Sequence, residues 1–199
     1  MKIGFIGAGG IGLALAQHFS RAGHGIVLSN SRGPDSLADT VRSVGGQTRA
    51  GTRAEAAQAD MLVLSVPWPH LDSATAGLPA LDGRIVLDTM NPVVMPGFRI
   101  AELGGLTSSQ VVAAHLPGAR VVKIANTLPT TVLAADPRTD GGRRVLFMSG
   151  DDAAAKAEVA RLFESLGFAV VDLGGLATGG AMQQFPGGPL PALNLVRQG

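Results

Sequence analysis

The sequence predicts an α/β protein built on a doubly wound, mostly parallel sheet, with helices on both faces and a small C-terminal α/β extension. Three observations predict it. Short β-branched or apolar runs alternate with helix-like segments from the first residue to about Leu173, the pattern of parallel strands joined by crossover helices. A glycine-rich turn, Gly7-Ala8-Gly9-Gly10-Ile11-Gly12, separates the first run from the first amphipathic segment. Hydrophobic residues make up 46% of the 199 and charged residues only 16%, which supplies a core and leaves little material for disorder. At roughly 100 to 200 residues per domain, the expected division is a main unit over 1–140 and a small lobe over 141–199 packed on it, or one continuous domain.

Strands are expected at Lys2 to Ile6, Ile26 to Ser29, Met61 to Val66, Arg84 to Asp88, Arg120 to Ala125, Val145 to Ser149 and Ala169 to Leu173, with a weaker one near Gln47 to Ala50. Gly23, Gly45-Gly46, Asn91-Pro92, Pro117-Gly118 and Gly141-Gly142 mark turns at their flanks. Ile11, Leu15, Ala16 and Phe19 share one helical face, which Gly23 terminates. Thr52 and Glu55 have capping-box spacing and open a short helix ending before Asp60. Val159, Leu162, Phe163 and Leu166 repeat the helical period after the cap candidates Asp151-Asp152 and before Gly167. A Gly/Pro turn over Gln184 to Pro189 is expected to lead into a last short helix around Leu190 to Val196.

Composition narrows the function classes. Net charge is +1 and the 16 Arg and Lys are dispersed along the chain, so no nucleic-acid partner is expected. The longest apolar runs, such as Met61 to Leu64, fall far short of the ~20 residues of a membrane span, and the first residues carry no export signal. A cytoplasmic protein with a small-molecule partner is expected. With no Cys, and with His at 18, 24, 70 and 115, no metal-ligand spacing appears. Glycine, at 28 residues, is about twice its usual ~7% share, which fits close backbone packing around a ligand.

The turn over Gly7 to Gly12 is a G-x-G-x-x-G after a strand and before a helix. Gly7 permits the tight turn, Gly9 lets backbone approach a pyrophosphate, and Gly12 lets helix pack on strand, with Gly10 and Ile11 at the helix start. This marks a Rossmann-type dinucleotide site. At the end of the second strand an acidic residue would bind the ribose of NAD, but Asn30-Ser31-Arg32 stands there. Arg32 can pair with a 2′-phosphate, and Asn30 and Ser31 add neutral donors, so NADP(H) is the expected cofactor.

Ser65, Val66 and Pro67 close the central strand at the carboxyl edge, where cofactors of open sheets bind. Trp68 and His70 either wall this side or pack at a helix start. Asp88 to Pro92, including Asn91, and Asn126-Thr127-Leu128-Pro129 end the next two strands and point to the nicotinamide region. Asp88 equally suits a cap on its own loop. Lys123, inside a strand, is either a general acid or a structural ion-pair member. Hydride transfer between stacked rings needs only positioning.

These residues resemble the NADPH-dependent coenzyme F420 reductases over nearly the whole chain. The markers are the glycine turn, Asn30-Ser31-Arg32-Gly33-Pro34, Ser65-Val66-Pro67-Trp68, Lys123 to Leu128, Val145 to Asp152 and Gly174-Gly175-Leu176. The chain also resembles the oxidoreductase domain of the STEAP metalloreductases. The resemblance implies a Rossmann-type domain with a small C-terminal lobe, commonly a homodimer, that moves hydride between NADPH and the C5 of a deazaflavin. It implies that Ser31 and Arg32 hold the 2′-phosphate and Gly9 to Ile11 the pyrophosphate. Ala8 and Leu128 would flank the two rings, and Asn126, Thr127 and Pro129 would line the cleft with Gln184, Phe185 and Pro186. Coenzyme F420 or a flavin is the implied second substrate. An NADPH-dependent reductase of a small imine or carbonyl, with Lys123 or Asp88 as proton donor, and a non-catalytic NADP(H) sensor are the alternatives. A chain of this length is expected to lack the helical domain that encloses small substrates in β-hydroxyacid dehydrogenases and pyrroline-carboxylate reductases, so a shallow or shared second site is expected.

Overall fold

A computed structural model describes residues 1–199. The chain runs β1 (Lys2–Ile6), α1 (Gly10–Arg21), β2 (Gly25–Ser29), a 3-10 turn (Pro34–Leu37), α2 (Ala38–Val44), β3 (Thr48–Ala50), α3 (Arg53–Ala57) and β4 (Met61–Leu64). A second 3-10 turn (Trp68–His70) leads to α4 (Leu71–Thr75), β5 (Ile85–Asp88), the hairpin strands β6 (Val93–Val94) and β7 (Arg99–Ile100), α5 (Ser108–His115) and β8 (Arg120–Ile124). The remainder is α6 (Thr130–Ala134), β9 (Arg138–Thr139), β10 (Gly142–Gly150), α7 (Ala153–Ser165), β11 (Ala169–Asp172), α8 (Thr178–Gln183) and β12 (Val196–Gln198).

One sheet joins these strands in the order β11-β10-β8-β5-β4-β1-β2-β3. Every pair from β3 to β8 is parallel, and β10 then enters antiparallel to β8, with Met148 opposite Ile124. The fold is the expected doubly wound α/β one, and the C-terminal extension continues its sheet. Sequence order reverses at β1, whose neighbours are β2 and β4. That reversal opens a crevice at the carboxyl ends of the strands.

Parallel strands covered on both faces must be apolar throughout, because alternate side chains enter opposite layers. Ile3, Phe5, Met61, Val63, Ile85, Leu87, Val122 and Ile124 pack with Leu15, Phe19, Val159 and Phe163. Their alternates Leu62, Leu64, Val86 and Val121 pack on the other face with Ala56, Leu71 and Val112. The rings of Phe5, Phe19, Phe163 and Phe168 meet edge-on or tilted, with centroids 5.6–6.3 Å apart, and tie α1 to α7.

The expected capping box is present at Thr52 and Glu55, and the Thr52 N–H donated to Glu55, with smaller help from its hydroxyl and Arg49, holds that carboxyl below the usual range. Asp152 caps α7 by accepting from Ala155 N at 2.7 Å. One expectation is overturned: Leu190 to Val196 is no helix. Ala192 adopts a left-handed φ of 67°, which a right-handed helix does not admit, and Leu193 N donates to Leu190 O at 3.2 Å, closing a tight turn at Pro191-Ala192. The segment is held to its neighbours, with Ala192 N donating to Thr127 O at 2.7 Å and Val145 N to Leu195 O at 2.9 Å, before β12 pairs with β10.

His18 lies at the joint of α1 and α6, where its Nε2 is 2.8 Å from Leu133 O. A carbonyl only accepts, so Nε2 carries the proton. Burial pushes the His18 imidazole below its ordinary range, the Leu133 bond offsets this in part, and His24 is lowered in the same direction, chiefly by burial. With folded values below the unfolded ~6.5, the unfolded chain binds more protons, so stability is full above that value and is lost as pH falls through it. Chemical denaturation from about pH 7 to about pH 5 should show falling stability, with a shallower fall in His18→Gln.

Candidate functional site

β1 leaves the sheet at Gly7, whose φ is +104° and whose N–H donates to Ser29 O at 3.0 Å. A Cβ there would lie 2.1 Å from Ser65 O, and one at Gly12 would lie 2.7 Å from Gly7 O. Both positions require glycine because backbone fills the space. Gly9 differs. It caps α1 in extended conformation, and a Cβ there would meet nothing within 4 Å. The crevice above it is therefore open, at a helix N-terminus whose first N–H groups have no intrahelical partner. Gly10 faces α6, with a Cβ position 2.9 Å from Thr130, so the glycine turn and the tip after β8 adjoin.

A cavity of about 480 Å³ extends from this turn, lined by Gly7, Ala8, Gly9, Ser31, Arg32 and Ser65 among others. Asn30, Val66 and Pro67 also line it, so it gathers most of the expected cofactor residues. Asn30 shapes its rim: Oδ1 accepts from Arg32 N at 3.0 Å and Nδ2 donates to Ser36 Oγ at 2.9 Å. This local turn folds the loop so that the Ser31 and Arg32 side chains stand exposed at the cavity. Arg32 enters no ion pair, which leaves its guanidinium fork available to an anion. No carboxylate lines the cavity. His70 lines it, whereas Trp68 packs against the core beneath, which separates the two readings of that pair.

Thr40, Arg53 and Ser73 complete its polar lining and were not legible in the sequence. Arg53 reaches across from the start of α3 to the end of α4, donating to Ala74 O at 2.9 Å and Ala76 O at 3.3 Å. Only the fold brings these two short helices together.

The strand tips beyond the glycine turn form a second group. Asn91 and Asn126 exchange hydrogen bonds, Asn91 Nδ2 donating to Asn126 O at 2.9 Å and Asn126 Nδ2 to Asn91 Oδ1 at 2.9 Å. Asn126 Nδ2 also donates to Gln183 O at 2.7 Å, and Gln183 Nε2 donates to Phe147 O at 2.9 Å and Asn126 Oδ1 at 3.2 Å. Asn91 Oδ1 further accepts from Phe185 N at 3.2 Å. The two asparagines thus tether the C-terminal turn to the sheet edge. Ala125 takes a left-handed φ of 62°, a conformation costly for a residue with a Cβ, which turns the chain at this tip. Asn126, Thr127 and Leu128 are buried, and Ala8 packs against the same apolar cluster as Leu128. Phe98 and Phe185 meet edge-to-face at 6.5 Å and remain 60% and 39% exposed, an aromatic wall beside Asn91.

Lys123 is fully buried, and its Nζ lies 2.8 Å from Met90 O, 3.3 Å from Asp88 Oδ2 and 3.3 Å from Ser108 Oγ. Asp88 accepts in addition from Ser109 Oγ and, at 2.9 Å, from Met90 N. The pair anchors the loop that carries Asn91. Neither group lines the cofactor cavity, and each is committed to partners.

Known proteins resemble this chain in sequence and in fold. A family model described as NADP oxidoreductase, coenzyme F420-dependent, matches residues 2–92. The crystal structure of the hypothetical protein SMa0349 from Sinorhizobium meliloti superposes with a TM-score of 0.92 at 45% identity, covering 100% of this chain and 97% of that one; at that likeness the two belong to one family. A proposed F420-dependent NADP-reductase from Arthrobacter sp. FB24 is similar, at TM-score 0.75 and 29% identity over 88% of this chain and 86% of that one. Metalloreductase STEAP3 of Rattus norvegicus is 28% identical over 192 residues, 96% of this chain but only 37% of that protein. The chain spans little more than a third of that relative.

Substituting Gly9 should separate binding from folding. Gly9→Ala should melt at the wild-type temperature yet bind a dinucleotide ~10-fold or more weakly, since a hydrogen bond to a charged group is worth about 1.5–3 kcal/mol. Gly7→Ala, strained and in collision with Ser65 O, should instead lose stability, and thermal melts with calorimetric titration read both. Lys123→Met, which strands the buried Asp88, should cost about 3–5 kcal/mol in chemical denaturation.

Proposed function

We propose that this Rossmann-fold NAD(P)-binding oxidoreductase, distantly related to the F420-dependent NADP reductases, transfers hydride between NADP(H) and a planar deazaflavin or flavin. The observation that carries the cofactor reading is the cavity over Gly9, which has an unpaired Arg32 and an exposed Ser31 at its rim and no carboxylate in its lining. The glycine turn would take the pyrophosphate, and Ser31 and Arg32 the 2′-phosphate. When bound, the nicotinamide supplies the hydride. The protein's own work is positioning: Ala8 and Leu128 would set the ring plane, and Asn91, Asn126 and Thr127 would hold the tip against which the second ring rests.

The family match over 2–92 and the Arthrobacter relative support coenzyme F420 as the partner. The Phe98 and Phe185 wall beside the tips favours a flat second substrate. It offers aromatic faces and edges without enclosure, and drug-sized ligands needing enclosure would find little of it here. The reading as an imine or carbonyl reductase needs a proton donor at the cleft. Its two candidates, Lys123 and Asp88, are sealed beneath the β5 loop with fully buried side chains. A homodimer in the cytoplasm is the proposed setting.

Purified protein with NADPH should bleach the absorbance of coenzyme F420 rapidly, that of FMN or FAD offered in its place far more slowly, and that of F420 far more slowly when NADH replaces NADPH. Consumption of NADPH with a small imine and with no deazaflavin or flavin would overturn the proposal. In the same assay, Arg32→Ala should raise KM for NADPH by roughly 10- to 100-fold, the value of one or two charge-assisted bonds, and leave that for NADH nearly unchanged.

A further inference from the structure

The fold assembles a second polar site far from any expectation of the sequence. β9 and β12 both pair with the first residues of β10, antiparallel, and the register sets Arg143 directly opposite Arg138 on one side and Arg197 on the other. Residues directly opposite in a ladder share a face, with Cβ atoms about 5 Å apart. Three arginines therefore project from one row about 10 Å long, with the Arg138 guanidinium lying against Gly167 at its end. None of the three is in an ion pair.

The scaffold under the row is rigid. β9 and β10 are joined by the two-residue turn Asp140-Gly141, with φ of 49° and 73°, the left-handed pair that a tight type I′ hairpin requires. Gly142 lets β12 pack close, since a Cβ there would lie 2.4 Å from Arg197 O. Arg144, the next residue, points to the opposite face, where it is buried and donates to Asn194 Oδ1. A cavity of about 570 Å³ lies along the row, bordered by Thr139, Gln198 and the backbone of Gly141 and Gly142, with no apolar side chain in its lining. Asp140 and Gly199 also line it, and the Asp140 carboxylate is in no ion pair with any of the three arginines. It shares no residue with the cofactor cavity.

Like charges directly opposite on a sheet destabilise it, so an unneutralised row of three is a standing cost. The geometry points to an anion-binding site in which Arg138, Arg143 and Arg197 hold a compact polyphosphorylated small molecule, of the diphosphate or bisphosphate class. Guanidinium forks spaced along a row match successive phosphate groups bidentately. The lining offers no aromatic or apolar side chain, so charge and phosphate geometry carry the binding. Thr139 and Gln198 supply neutral donors at its ends.

Inorganic pyrophosphate is the probe, titrated calorimetrically into the full chain and into Arg143→Gln/Arg197→Gln. Wild type should bind it at a site from which NADPH does not displace it, and the double variant should bind it at that site at least ~10-fold more weakly, the worth of one charge-assisted bond. In low salt without anion, Arg143→Gln should melt above wild type, because repulsion is relieved, and pyrophosphate should close that gap. Unchanged affinity in the double variant, complete displacement by NADPH, or a lower melting temperature for Arg143→Gln would each overturn the site. Tighter binding of a DNA duplex than of pyrophosphate would overturn the ligand class.

Discussion

Everything at the cofactor edge depends on one close approach. The backbone of Gly7 lies so near the carbonyl of Ser65 that no side chain fits between them, and the Gly7 carbonyl in turn excludes a side chain at Gly12. These two contacts pull the start of α1 down between β1 and β4, at the point where strand order reverses. The N-terminus of a twelve-residue helix is thereby aimed into the crevice, with its positive end toward whatever anion enters. The open space over Gly9 is the complement of those crowded neighbours. Crowding fixes the turn and leaves Gly9 as the one uncrowded glycine in it, the place the proposed ligand would approach.

A second constraint holds the opposite side of the crevice. The chain after β5 and the chain after β8 would be free loops, each with unpaired backbone, were they not bound to one another and to the C-terminal turn. Lys123 and Asp88 lock the first loop from beneath through Met90, and the Asn91, Asn126 and Gln183 amides join all three segments above. Buried polar groups are tolerated only when satisfied. Here nearly every donor in the cluster has a named acceptor, so the network rigidifies the tip and does not weaken it. Positioning of rings by a rigid edge is the kind of catalysis such a site can supply.

Much of this was legible in the sequence, for a physical reason. Strands buried on both faces are continuous apolar runs, and Met61 to Leu64 or Ile85 to Leu87 read as strands by their shortness, their β-branched residues and the turn residues that flank them. The glycine turn, the capping box at Thr52 and the cap at Asp152 are local signals, readable within a few residues. What escaped was non-local or aperiodic. α8, with Gly179 and Gly180 inside it, exists because Ser149, Leu173 and Thr107 press close enough to exclude larger side chains, and no periodicity announces that. α5 buries Ser108 and Ser109 against Lys123 and Asp88, so its inner face reads as polar. Leu190 to Val196 looks apolar enough for a helix, but it turns at Pro191-Ala192 and is then held against β10 by Leu195 and β12. Arg53, Thr40 and Ser73 reach the cofactor cavity only through tertiary packing. The row Arg138, Arg143 and Arg197 is dispersed in the chain and contiguous only in the ladder.

The central claim is that the crevice over Gly9 selects a dinucleotide by its 2′-phosphate. Calorimetric titration of wild-type protein with NADPH and with NADH tests it most directly, because the two ligands differ in that group alone. NADPH should bind at least ~10-fold more tightly, the worth of one charge-assisted hydrogen bond, and added salt should narrow the difference. Equal affinities, or a preference for NADH, would contradict the account.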